Sequence, residues 1–360
     1  MSRPFAFLLA GLCALSAQGQ GALAWNGFAL LRASSVNESG PLVMEPISAQ
    51  VQVGLDWTPT PAITAHVHLL GRTDAGDSTR GHAGIPEAYV EANVHPGGDR
   101  LRLRGGAFFL PTSRENVDSL WETAYTITPS ALNSWFGEEL RPIGLDASYF
   151  HGRLFGGATL FRGNDTFGAL PVDRGWALRD HWIVLGERIH LPQLFPDPNE
   201  PFYDTSVSAE TDHRLGWSAR AGWNGQYLLA QFTHIANRSD AMDHGSLENW
   251  NTRFDVVALE YTRDDWTVAA ESGWGPTVII AEGEAFVSGL DATYLLVSRR
   301  WDRGRATIRA DWFRAGDVRD RALTAAFLLT PPGRLRPGIE VTTAAGHHRA
   351  LIELRYSFGG

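Results

Sequence analysis

From Ile47 to Trp57 the chain alternates strictly, with Ile47, Ala49, Val51, Val53, Leu55 and Trp57 on one side and Ser48, Gln50, Gln52, Gly54 and Asp56 on the other. A period of two is that of a pleated strand, so this segment has one apolar face and one wet face. Segments of this kind recur to the end of the chain, and in its later part their connections run alternately short and long. Strands so patterned must either pack their apolar faces together or turn them toward lipid.

The start of the chain bears on which. Arg3 precedes an apolar run from Phe5 to Ala17, and Ala22-Leu23-Ala24 forms a small-x-small site, so residues 1–24 are expected to be a secretory signal peptide and Trp25 the first mature residue. The apolar run is shorter than the ~20 residues that a spanning helix requires. No later stretch is apolar enough to cross a bilayer as a helix, which leaves strands as the only means of membrane residence. Cys13, the single cysteine, falls inside the expected signal, and Leu12 before it is too large for a lipoprotein cleavage site. The mature chain is thus expected to hold no disulfide and no cysteine metal site. Losing residues 1–24 removes one Arg and no acid, shifting the net charge from −9 to about −10, and there is no Lys. Bulk charge argues against nucleic acid as a partner. A hydrophobic content of 44% and a mean hydropathy of −0.17 would suit a soluble protein too, whereas 13 Trp, 18 Phe and 38 Gly fit interfacial aromatic girdles and closely packed strands.

Sixteen strands can be marked, at 26–34, 47–57, 63–71, 86–94, 100–109, 143–150, 154–161, 214–223, 227–234, 254–262, 266–274, 289–298, 306–313, 321–329, 339–343 and 350–358. Asn224-Gly225 is the strongest hairpin signal, and Thr58-Pro59-Thr60-Pro61, His95-Pro96-Gly97-Gly98 and Pro331-Pro332-Gly333 are further short turns. Seven short turns and eight longer loops bring both termini to one rim, and the even count predicts an all-β, antiparallel, up-and-down transmembrane barrel over residues 25–360. Trp217, Trp223, Trp266, Trp274 and Trp312 fall in phase with the apolar face near strand ends, as girdles would. A soluble sandwich or jelly roll alternates as well and is the competing fold.

In the last segment Ile352, Leu354, Tyr356 and Phe358 share one face while Glu353, Arg355 and Ser357 share the other. This resembles the terminal strand by which Gram-negative outer-membrane barrels are recognised for assembly, although Gly359 and Gly360 follow the Phe. Across the mature chain the architecture resembles the Gram-negative outer-membrane porin superfamily of the sixteen-stranded, trimeric type, in particular its phosphate-selective O/P-like branch. The likeness rests on pattern rather than on a motif. It implies residence in the outer membrane, contact with its lipid, a homotrimer, delivery to the barrel-assembly machinery through the C-terminal strand, and passive diffusion of small hydrophilic solutes or ions. It implies neither an enzyme nor a cofactor. For phosphate selectivity a run of Lys would be expected, and this chain has none.

Arg100, Arg102 and Arg104 alternate with Leu101 and Leu103, so a barrel turns all three guanidinium groups into its lumen, since each would cost roughly 2–4 kcal/mol at the membrane midplane. The loop at 110–140 follows directly and carries Glu115, Asp118, Glu122, Glu138 and Glu139, with Thr128 to Gly137 expected to form a short capped helix. In porins the third loop folds into the barrel. Acids there, facing the arginine ladder, would set a transverse field across a constriction. Asp56, Glu87, Glu91, Asp146, Arg214, Arg220, Asp291, Arg309, Asp311 and Arg355 are also expected to point inward, a mixture that favours neither anions nor cations. His66 and His68 have a spacing that can ligate a metal on a strand, but lumen-facing polar residues account for them and no metal is expected. The insertion at 162–213, rich in aromatics and Pro, is expected to cover the mouth, hold a neighbouring subunit or bind a solute. Two other functions compete: a barrel with a plugged lumen in a structural or adhesive role, and an outer-membrane lipid hydrolase. The latter needs a nucleophile and His base near one rim, and no Ser and His stand in matched register.

Overall fold

The computed structural model describes residues 21–360 except 39–42, 75, 77, 118, 198–199, 243, 245–246, 282 and 345. The strands are β1 (Ala22–Glu38), a two-residue β2 (Val43–Met44), β3 (Ser48–Thr60), β4 (Ile63–Arg72), β5 (Ala83–Val94), β6 (Arg100–Ala107), β7 (Ile143–His151) and β8 (Leu154–Arg162). Next come β9 (Arg188–Asp197), β10 (Glu200–Ser206), β11 (Gly216–Asn224), β12 (Leu228–Ala236), β13 (Asn251–Arg263) and β14 (Trp266–Ala281). The chain ends with β15 (Glu284–Trp301), β16 (Gly304–Ala315), β17 (Val318–Leu329), β18 (Leu335–Ala344) and β19 (His347–Gly359). Strand β1 pairs with β3 on one side and β19 on the other, and β8 pairs with β11. With β2 an appendage of the seam and β9–β10 a separate hairpin, sixteen antiparallel strands close into a barrel. Closure gives every strand a partner on both edges, which removes the free edges that an open sheet would leave.

The two faces of the wall are inverted relative to a soluble barrel. On β16, Ile308 is 60% exposed while its neighbour Arg309 is 0% exposed. The same parity puts Val51, Leu103, Leu145, Leu160, Phe232, Val257, Leu295, Leu323 and Ile352 outside, and Gln52, His68, Asp146, Thr159, Thr233, Glu271, Thr324 and Glu353 inside. The five girdle tryptophans have outward parity, with Trp266, Trp274 and Trp312 exposed. Trp25 lies inside β1, where its backbone N–H and carbonyl both pair with Gly360.

Three local differences from the sequence expectation stand out. Strands β14 and β15 run 16 and 18 residues, well past the expected ends. The insertion at 162–213 is not free of regular structure, since it contains a short helix, Ala169–Asp173, and the β9–β10 hairpin. The inner face is also not uniformly wet: Ile235, Phe254, Val256, Leu290 and Ala292 point inward on β12, β13 and β15. These residues receive the loop described next.

Candidate functional site

The loop after β6 turns into the barrel through Phe108, Phe109 and Leu110, all buried. It then forms a helix, Ala131–Glu139, whose N-cap Ser130 accepts a hydrogen bond from the Asn133 N–H at 3.3 Å, one of the donors that a helix start leaves unpaired. Every residue of this helix is buried. Leu132, Trp135 and Phe136 pack on Phe161, Phe167 and Phe254, with the Trp135 and Phe167 rings stacked at 4.6 Å. Close approach is possible because Gly137 faces Trp182 of the next loop: a Cβ there would lie 2.2 Å from the indole.

Polar anchors hold the loop against β14–β19. Glu271 accepts the Glu115 N–H at 3.0 Å, and Glu340 accepts the Ile127 and Thr128 N–H groups at 2.7 and 3.1 Å. Arg309 donates to Glu115 at 3.0 Å, to Asp311 at 2.8 Å and to the Thr128 carbonyl at 2.6 Å. Arg355 donates to Glu353 at 2.9 Å and bonds Glu122. Burial pushes the Glu122 carboxyl up to about 7, against the pull of Arg355. A line of charges continues across the seam, because Glu353 also accepts from Arg32 at 2.8 Å and Arg32 pairs with Asp180 of the long insertion at 2.5 Å. The insertion is tied to β4 as well, by Arg72 with Glu187 at 2.9 Å and the Trp182 carbonyl at 3.0 Å.

The ladder faces inward but meets wall acids rather than loop acids. Arg104 donates to Glu91 at 2.9 Å and lies 4.3 Å over the Tyr89 ring. Arg102 donates to Ser148 at 3.1 Å, 3.8 Å from Asp146, which in turn holds Arg220 at 2.8 Å. Arg100 sits over the Phe150 ring at 4.0 Å. Glu87 accepts the Phe109 N–H at 2.8 Å. The expected opposition of ladder and loop charges is therefore not what forms: Glu115 and Glu122 reach Arg309 and Arg355 on the far wall. Glu138 and Glu139 lie between the helix and the insertion. Burial opposes ionisation of Glu138, yet Arg174 and Arg179 beside it, at 2.6 and 2.5 Å, hold its carboxyl well below the usual range. Glu139 accepts from the Trp135 indole at 2.5 Å and from the Leu170 N–H at 3.3 Å, and burial pushes it up to about 8 against these bonds and the pull of Arg174.

Other expected positions need correction. Arg214 is not on a strand wall, since β11 begins at Gly216 and the arginine is 58% exposed at the long-loop rim. Asp291 has outward parity and pairs with Arg314. Asp118 lies outside the described residues. Asp56 has the expected inward parity on β3 and pairs with His66 at 2.7 Å. Arg32, Arg72, Asp180, Glu271 and Glu340 carry much of the anchoring and escaped the sequence reading. Arg32 follows inward Phe28 and Leu30, so its strand shows no inside-outside contrast at that point.

Toward the long-loop rim, against β1, β3, β4 and β16–β19, lies a cavity of about 920 Å³. Its lining includes Glu45, Arg179, Asp180, Asp320, Glu340 and Arg349, with Trp176 and Phe313 beside them. Such a mixed lining can hydrate small polar solutes of either sign.

This barrel is similar to several solved outer-membrane structures. The anion-selective porin from Comamonas acidovorans matches with a TM-score of 0.59 at 10% identity, over 94% of this chain and 100% of that one. OmpF of Salmonella typhi, in complex with daunomycin, matches with a TM-score of 0.56 at 10% identity, over 93% and 97%. OmpT, an outer membrane protein of Vibrio cholerae, matches with a TM-score of 0.58 at 9% identity, over 94% and 98%. At these identities the likeness is one of fold. No family model matches the chain, and no curated protein matches it.

Proposed function

We propose that this chain is an outer-membrane porin, a passive channel for small hydrophilic solutes or ions that is narrowed by its own third and fourth loops. The observation that carries the reading is the inverted wall, apolar outside and charged inside, around a polar cavity. The channel acts as a sieve by size, with weak charge preference because its lining mixes basic and acidic groups. It has no phosphate preference, no catalytic role and no cofactor in this reading. Residues 1–24 direct export, the terminal strand engages the assembly machinery, and the protein works as a homotrimer; a trimer form is known for OmpT of Vibrio cholerae, which shares the fold.

Single-channel recording in a planar bilayer tests this. Discrete open steps with modest reversal potentials in a salt gradient are expected. A second reading, a barrel sealed by its loops, is favoured by the packed helix and its buried ion pairs. Absence of any conductance at all voltages and pH values would replace the first reading with the second.

A further inference from the structure

At the long-loop rim of β11–β13 the outer wall carries a groove of about 480 Å³ lined by Arg214, Leu215, Arg238, Ser239, Asn251 and Arg253. Arg253 has the outward parity of Val257 and Leu259, and exposed Leu215 that of Trp217, so the groove opens to the outside of the barrel and not to its lumen. Among the described residues, neither Arg238 nor Arg253 has an acidic partner, and Arg214 has only Asp212 at 3.8 Å.

The backbone beneath these side chains is fixed before any ligand arrives. Arg238 has φ of 60°, in the left-handed region, between Asn237 and Ser239. The Asn237 side chain donates to the Asn164 and Trp250 carbonyls at 2.7 and 2.6 Å and accepts from the Ser239 N–H at 3.1 Å. Asn251 donates to the Ser239 carbonyl at 3.1 Å. Asp212 is spent on the backbone, accepting the Arg214 N–H at 2.7 Å and the Asp240 N–H at 2.6 Å, and so clamps the two arginine-bearing loops together. Three cations held close on a rigid frame repel one another until an anion sits between them. Preorganisation of this kind is what favours tight anion binding.

Directly below the groove the wall turns apolar, with Trp217, Phe232 and Val257 facing outward. Outward arginines are tolerated near the interface and not at the midplane. We propose that Arg214, Arg238 and Arg253 form a binding site for the phosphate of an outer-leaflet glycolipid, whose acyl chains lie on Leu215 and the apolar wall beneath. A guanidinium matches a phosphate with paired N–H donors, and the ligand's tail accounts for the exposed apolar surface that a free anion would leave unused. The inference rests on the membrane placement of the barrel and not on its conductance.

The test uses the full-length protein refolded in detergent, titrated with bis-phosphorylated lipid A, dephosphorylated lipid A and inorganic phosphate, and read by native mass spectrometry. The phosphorylated lipid should bind about tenfold or more tightly than the dephosphorylated one. The R214Q/R238Q/R253Q variant should lose that preference and the corresponding Lys variant should keep part of it. Equal binding of the two lipids, or an unchanged preference in the Gln variant, overturns the site. Displacement of the lipid by inorganic phosphate overturns the lipid as its ligand. Insertion of wild type and Gln variant into vesicles, followed by the heat-dependent gel shift, reads the membrane placement and the fold separately.

Discussion

Arg309 pairs with Glu115 and Asp311 together where all three side chains are buried. Replacing it with Gln leaves two buried carboxylates without a counterion, a loss of roughly 3–5 kcal/mol by the behaviour of other broken buried pairs. The urea midpoint of the refolded Arg309→Gln protein should fall accordingly, and protease should cut the loop at 110–140 faster. Adjacent Glu138 and Glu139 set a pH response of opposite signs. Glu138 is held down, so its contribution is present above the ordinary carboxyl range and is lost only as pH falls toward about 2. Glu139 is pushed up to about 8, so packing of the helix is favoured below the ordinary range and weakened as pH rises through that value. Cleavage of the loop should thus rise as pH climbs from the ordinary carboxyl range to about 8 in the wild type, and rise less in Glu139→Gln, where Glu122, itself raised to about 7, is the remaining group that titrates. Alternation revealed that Arg309 points inward. Its partner Glu115 was out of reach of such reasoning, because the two are 194 residues apart and nothing local couples them.

The helix Ala131–Glu139 works as a wedge whose seat is cut by one missing side chain. Gly137→Ala places a methyl group against the Trp182 indole, an overpacking that costs about 1–3 kcal/mol and pushes the wedge off the Phe254 wall. Single-channel conductance should increase in Gly137→Ala, and increase further when residues 111–139 are deleted; unchanged conductance in the deletion would show that the wedge does not restrict flow. A capped helix was legible over Thr128 to Gly137, but it starts three residues later, at Ala131, with Ser130 as its cap and Pro129 outside it. Its seat was not, because inward Phe254 and Val256 interrupt the wet face of β13, and alternation alone cannot distinguish an apolar inner patch from a shift of register. Neutralising Arg100, Arg102 and Arg104 together leaves Glu91 and Asp146 short of partners, so reversal potentials should move toward cation preference.

The sixteen strands were legible because turn chemistry and a two-residue period are both local, while the folded-in loops depend on contacts between distant segments. The inverted wall gives a direct test of where the molecule lives. Ile308→Arg, one residue from buried Arg309, should lower the stability of refolding into vesicles by about 2–4 kcal/mol, whereas an equally exposed site in water would tolerate it. Wild-type yield in the variant would place that surface in solvent. The seam has a further consequence. Asn26 pairs with Gly359 and Glu38 with His347, so the barrel closes only when β1 meets β19. Until β19 is in place the sheet has two raw borders and no way to satisfy them, and a partly assembled barrel is sticky along both. Joining ends so distant costs entropy that grows only logarithmically with the span. The delay itself is the hazard, because β1 and β3–β18 can pair with one another while the border that β19 closes stays raw.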